Sequence, residues 1–182
     1  MKILIVYATT EGQTRKIARF AADHLTGKGH SVELLHAEDA EDAVPGDYGG
    51  VILAGSIHAG HYQAPLVDFA KANAAALDRV PNLFLSVSLS AAGRDAKDWE
   101  GLGMVLDAFK ERTGWTPARV EQVAGALRYS QYDFLRYWAM RWIASQRGQR
   151  HDHDEDVEFT DWEKLAALLD DWTAAAGAEL QA

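Results

Sequence analysis

The chain has 182 residues, 48% of them hydrophobic, enough for one domain with a sizeable core of its own. It contains no cysteine, which excludes a disulfide framework, a thiolate zinc site and an iron–sulfur cluster, so redox chemistry here requires a borrowed cofactor. The net charge of -9 argues against a nucleic-acid partner, and no uncharged apolar run reaches the roughly 20 residues of a membrane span, so a cytoplasmic protein without an export signal is expected.

The run Ile3 to Tyr7 is short, apolar and β-branched, and polar turn residues follow it at once; it predicts a central strand buried on both faces. After Gly12, the spacing of Thr14, Ile17, Ala18, Ala21 and Leu25 predicts a helix with one apolar face, stopped by Gly27 and Gly29. Val32 to Leu35 and Val51 to Ala54 read as strands, and the acidic stretch between them holds at most a short helix. Leu66 to Leu77 reads as a helix, Leu83 to Leu89 as a strand and Leu102 to Arg112 as a helix. Val120 to Leu127 follows as a fifth strand and Thr160 to Ala176 as a last helix. This alternation predicts an α/β fold: a single doubly wound parallel sheet of order 2-1-3-4-5 with helices on both faces.

In such a sheet, ligands sit beyond the carboxyl ends of the strands. The first strand empties into Thr9-Thr10-Glu11-Gly12-Gln13-Thr14, where hydroxyls and the N–H groups opening the helix can wrap a phosphate dianion without a lysine. Neither G-x-x-x-x-G-K-[ST] nor G-x-G-x-x-G is present, so a single phosphate is the better guest. The loop resembles the flavodoxin phosphate loop, Thr-x-Thr-Gly-x-Thr, except that Glu11 replaces a hydroxyl residue and can offer only backbone. Gly12, Gln13, Thr14 and the Thr9 hydroxyl are the leading phosphate contacts.

The third strand ends in Gly55-Ser56-Ile57-His58-Ala59-Gly60-His61-Tyr62, against which a flat ring can lie. Backbone from Ser56 to Gly60 is expected at the ligand, with Ile57, His58 and Tyr62 as rival stacking groups. The fourth strand ends in Ser86-Val87-Ser88-Leu89-Ser90-Ala91-Ala92-Gly93, the second flanking loop, with Ser88, Leu89 and Ser90 as expected contacts or, equally, solvated loop residues.

Four blocks carry a more specific resemblance: Gly12-Gln13-Thr14-Arg15 with Ile17-Ala18; Gly55-Ser56-Ile57 followed by Gly60-His61-Tyr62; Ala124-Gly125-Ala126-Leu127-Arg128-Tyr129; and Thr160-Asp161-Trp162-Glu163. In order and spacing they are similar to the bacterial quinone-dependent protoporphyrinogen IX dehydrogenases, a flavodoxin-like branch of haem biosynthesis. That resemblance implies FMN as cofactor, a porphyrinogen as electron donor and a membrane quinone, menaquinone or ubiquinone, as acceptor. His61, Tyr62, Arg128 and Tyr129 are the candidate substrate contacts; Arg128, just past the fifth strand on the flavin edge, either meets a propionate or makes a surface or structural ion pair. The flavin carries the chemistry, and no catalytic acid or base is assigned. The resemblance lapses at Ser90 to Gly103, where the branch usually has a longer, more basic insertion. A carrier that passes electrons between larger redox partners, and a flavin-free interaction domain, are the rival readings of the same fold.

Between Arg128 and Arg150 the chain carries five arginines against Asp133, a local charge of about +4 in a chain of -9. Wound as a helix, this segment gathers Phe134, Leu135, Trp138 and Trp142 on one side. Such a surface suits either the cytoplasmic face of a membrane, where Phe134, Trp138 and Trp142 would make contact, or an internal or subunit interface. The run His151 to Asp156 has no ligand spacing and reads as a solvated loop, so no metal site is expected. Thr160 and Glu163 form a capping box opening the last helix. Oligomeric state leaves no signature in the sequence.

Overall fold

The computed structural model describes residues 1–93, 95–127 and 157–179. Five strands, β1 (Lys2–Ala8), β2 (Ser31–His36), β3 (Gly50–Ser56), β4 (Asn82–Ser88) and β5 (Val120–Ala124), form one parallel sheet of order β2-β1-β3-β4-β5. The helices are α1 (Gln13–Gly27), α2 (Ala64–Ala72), α3 (Ala74–Leu77), α4 (Ala96–Thr113) and α5 (Trp162–Glu179). The expected doubly wound fold is therefore present.

Alternation along the strands divides the core in two. Ile3, Ile5, Ile52, Leu83, Leu85 and Val123 face α1 and α5, meeting Ile17, Ala21, Leu25, Leu165, Leu169 and Trp172. Leu4, Val6, Val51, Leu53 and Phe84 face the opposite layer, meeting Leu66, Val67, Phe69, Leu77, Phe109 and Trp115 from α2 to α4 and the turn beyond. Each fully buried aliphatic side chain contributes roughly 1.5–3 kcal/mol of transfer free energy, so both layers hold the sheet firmly. The parallel register sets Ala8 beside Gly55, Gly55 beside Ser86 and Ser88 beside Ala124, which brings the carboxyl ends of β1, β3, β4 and β5 to one edge.

Several expected boundaries shift. The helix read as Leu66 to Leu77 is broken at Asn73, whose side-chain amide and backbone N–H both donate to the Phe69 carbonyl. Helix α4 starts six residues before Leu102, because the Asp95 carboxylate caps it by accepting from Lys97 N–H, and it ends at Gly114 with φ 69°. The acidic stretch after β2 holds only two short 3-10 turns, Ala37–Asp39 and Pro45–Asp47.

The strand read as Val120 to Leu127 ends at Ala124. Gly125 still donates to the Ser88 carbonyl, but its own carbonyl accepts from Phe159 N–H. Beyond that point β6 (Ala126–Leu127) pairs antiparallel with β7 (Val157–Glu158), so the chain exchanges β4 for a new partner. The capping box is also corrected. Asp161 caps α5 by accepting from Lys164 N–H, while the Thr160 hydroxyl donates to the Ala124 carbonyl.

Candidate functional site

The loop between β1 and α1 turns on Gly12, whose φ of 91° is left-handed and disfavoured for a residue with a Cβ. Gly12 N–H donates to Thr9 Oγ1 at 2.9 Å, and Lys16 N–H is the first to bond back into the helix, at the Gly12 carbonyl. The N–H groups of Gln13, Thr14 and Arg15 therefore stand at the open end of α1 without intrahelical acceptors. Accepting from Gly12 leaves the Thr9 hydroxyl its own proton to donate.

Thr14 is fully buried, lies on the cavity wall, and its Oγ1 meets no hydrogen-bonding partner among the described residues. A buried hydroxyl left unpaired costs about 1–3 kcal/mol, so this atom is a reserved donor. Gln13 behaves differently. Its side chain turns away, Nε2 donating to Thr160 Oγ1 at 2.9 Å, so towards a ligand at the helix end Gln13 offers backbone N–H. Among the described residues no lysine or arginine lines the cavity; what they offer an anion there is the α1 dipole and the converging N–H and O–H groups.

The cavity measures about 420 Å³, within the range of small-molecule sites. Thr9, Thr10, Glu11, Gln13 and Thr14 form one end of its wall, Ser56 to Gly60 a second side, and Ser88, Leu89 and Ser90 the third. Of the cofactor contacts expected from sequence, Gly12 alone is off the wall, its role being the turn itself. The loop after β3 is pinned as a two-residue hairpin: His58 N–H donates to the His61 carbonyl at 2.9 Å and His61 N–H to the His58 carbonyl at 3.1 Å. Both turn residues are left-handed, Ala59 at φ 49° and Gly60 at φ 79°.

Tyr62 is a correction. It does not lie on the cavity wall but is 6% exposed inside the core, its hydroxyl 2.8 Å from Ser86 Oγ and its ring edge-on to Phe84 and Phe109. Gly55 makes room for it, because a Cβ there would stand 3.1 Å from Tyr62 Cδ1 and 2.5 Å from Leu66 Cδ2. Burial pushes the Tyr62 phenol up to about 12, with the Ser86 hydrogen bond opposing the shift. His61 is exposed and its side chain stands off the wall. Arg128, Tyr129, Phe134, Trp138 and Trp142, and the run His151 to Asp156, lie outside the described residues.

Among the described residues, four on the wall were not expected as contacts: Val87, inside the loop already named, Leu102, Gly125 and Ala126. Leu102 gave no signal beyond helical periodicity, whereas Gly125 and Ala126 lay inside a block noted for another reason. Gln63 was missed as well. Its Nε2 donates to Thr10 Oγ1 at 2.9 Å and to Ser56 Oγ at 2.6 Å, joining the first loop to the second.

A 2-1-3-4-5 parallel sheet with a cavity at its switch point, where α1 opens, defines the flavodoxin-like class of α/β proteins. A family model described as a flavodoxin domain matches residues 4–154. Among solved structures, a short-chain flavodoxin associated with a bacterial microcompartment superposes with TM-score 0.58 at 13% identity, covering 97% of this chain and 99% of that one. A Streptococcus pneumoniae flavodoxin superposes with TM-score 0.54 at 15% identity, over 98% and 99% of the two chains.

Two relatives are nearer in sequence. The protoporphyrinogen IX dehydrogenase (quinone) of Escherichia coli strain K12 is 32% identical over 166 residues, covering 91% of each chain. The protein of that name from Leishmania major is 30% identical over 174 residues, covering 95% of this chain and 75% of the relative. The chain belongs to the flavodoxin domain family, in the branch of the quinone-dependent protoporphyrinogen IX dehydrogenases.

Proposed function

We propose that the protein binds FMN and oxidises protoporphyrinogen IX to protoporphyrin IX, passing the electrons to a membrane quinone. The observation that carries this reading is the match in extent: 32% identity spans 91% of both chains. The residues present fit the group. The orphaned Thr14 hydroxyl, the free N–H groups of Gln13 to Arg15 and the absence of a second phosphate motif suit a phosphate monoester. When bound, FMN supplies the two-electron chemistry.

The chain's own residues do the rest. Thr9, Thr10, Thr14 and the backbone opening α1 hold the phosphate end, and Glu11 offers only backbone there. The hairpin His58 to His61 and the loop Ser88 to Ser90 flank the ring, the first fixed by its paired N–H and carbonyl groups. Among the described residues no helix is long and apolar enough to cross a membrane. In this reading quinone is met at a membrane surface on the cytoplasmic face, with Phe134, Trp138 and Trp142 proposed as the contacts. Arg128 and Tyr129 are assigned to the substrate, with Arg128 at a propionate.

Two measurements on the purified protein test the reading. Heat-released flavin identified by chromatography should be FMN, and anaerobic addition of protoporphyrinogen IX should bleach the bound flavin. Release of FAD, or of no flavin after reconstitution, removes the cofactor assignment. FMN that porphyrinogen cannot reduce favours an electron carrier.

A further inference from the structure

Gln63 is the last residue before α2 and occupies its N-cap position, with extended backbone at φ -60° and ψ 138°. Side chains there usually accept from the first N–H groups of the helix, and glutamine is not among the preferred residues. Gln63 makes no such bond. Its amide instead joins two loops, donating to Thr10 Oγ1, 53 positions away in sequence, at 2.9 Å and to Ser56 Oγ, 7 positions away, at 2.6 Å. Both acceptors are cavity-wall residues, Thr10 at the anion-binding end and Ser56 at the mouth of β3, while Gln63 itself is off the wall.

A hydroxyl has one proton and two lone pairs. Once the Gln63 amide fills a lone pair on Thr10 and on Ser56, the proton of each hydroxyl is free for a third party. The cost is visible on the other side of the amide, where Gln63 Oε1 is buried and has no partner among the described residues. The arrangement gives up one acceptor to hold two donors.

We infer that Gln63 is a positioning residue which sets the Thr10 and Ser56 hydroxyls as donors into the cavity and thereby raises affinity for a phosphate-bearing ligand. This rests on the proposal that the ligand is FMN. It concerns a residue that touches no ligand and acts only through two that do.

The experiment is fluorescence titration of apoprotein with FMN and with riboflavin, for the wild type, Gln63→Leu and Gln63→Glu. Leucine keeps the bulk and removes both donors; the glutamate carboxylate accepts from the same hydroxyls, turns their protons inward and sets a negative charge beside the anion end. The loss of two hydrogen bonds predicts about tenfold weaker FMN binding in Gln63→Leu, a larger loss in Gln63→Glu, and a smaller change for riboflavin in both. In a Thr10→Ala, Ser56→Ala background the Gln63→Leu effect should largely vanish, because the groups act as one unit.

Thermal melts of the apoproteins check that each variant is folded; a variant that does not fold is replaced by Gln63→Met in the same cycle. Wild-type protein that binds no FMN contradicts the proposed function. Wild-type protein that binds FMN, with equal losses for FMN and riboflavin or with Gln63→Glu no worse than Gln63→Leu, overturns the inference alone.

Discussion

Gln13 donates to Thr160 across 2.9 Å, and Thr160 donates in turn to the Ala124 carbonyl across 2.7 Å. One buried hydroxyl thus ties the helix that opens the anion cradle to the end of β5 and the start of α5. Thr160→Val keeps the shape and leaves both the glutamine amide and the carbonyl short of a partner, so it should cost about 1–3 kcal/mol in urea unfolding. It should also weaken FMN binding several-fold, since Gln13 would lose its anchor. Unchanged stability would show the relay to be immaterial.

Thr14 should behave in the opposite sense. Its hydroxyl is buried and has no partner among the described residues, so Thr14→Val should leave the apoprotein as stable as the wild type or more stable, by up to about 1 kcal/mol. FMN affinity should fall by at least tenfold, because hydrogen bonds to charged groups contribute roughly 1.5–3 kcal/mol. Calorimetry of the apoprotein beside flavin titration separates the two effects.

Gly12→Ala meets the φ of 91° directly. A Cβ in left-handed backbone costs about 1–2 kcal/mol, so this variant should melt earlier and lose phosphate-dependent affinity together. A variant with native melting temperature would contradict the requirement for glycine.

The Tyr62 phenol sits at about 12 rather than its ordinary 10.0 because it is buried. Between those values the unfolded chain has released the proton while the folded chain keeps it, so stability should fall as pH rises through that window. Tyr62→Phe should flatten this alkaline slope, as read from urea unfolding at stepped pH. An equally steep slope in the variant would place the titrating group elsewhere.

The sheet order and the three cavity loops were legible because each depends on a local pattern: apolar strands ending abruptly in Thr, Ser and Gly. Tyr62 was misread since an aromatic beside a ligand loop looks the same whether it points outward or inward. What turned it inward is the missing side chain at Gly55, seven positions earlier, a packing fact without a local signature. Gln63 was silent for a similar reason: its partners Thr10 and Ser56 are brought to it only by strand register. Thr160 looked like half of a capping box because the Ser/Thr-x-x-Glu spacing was right, yet Asp161 won the cap once Ala124 engaged the threonine.

The central claim is most directly tested by anaerobic porphyrin fluorescence on FMN-reconstituted protein supplied with protoporphyrinogen IX and a water-soluble menaquinone analogue. The account predicts fluorescence that rises only when protein, FMN and quinone are all present, and that is lost with the flavin in Thr14→Val at limiting FMN. FMN-loaded protein that forms no porphyrin above the quinone-free control would contradict it.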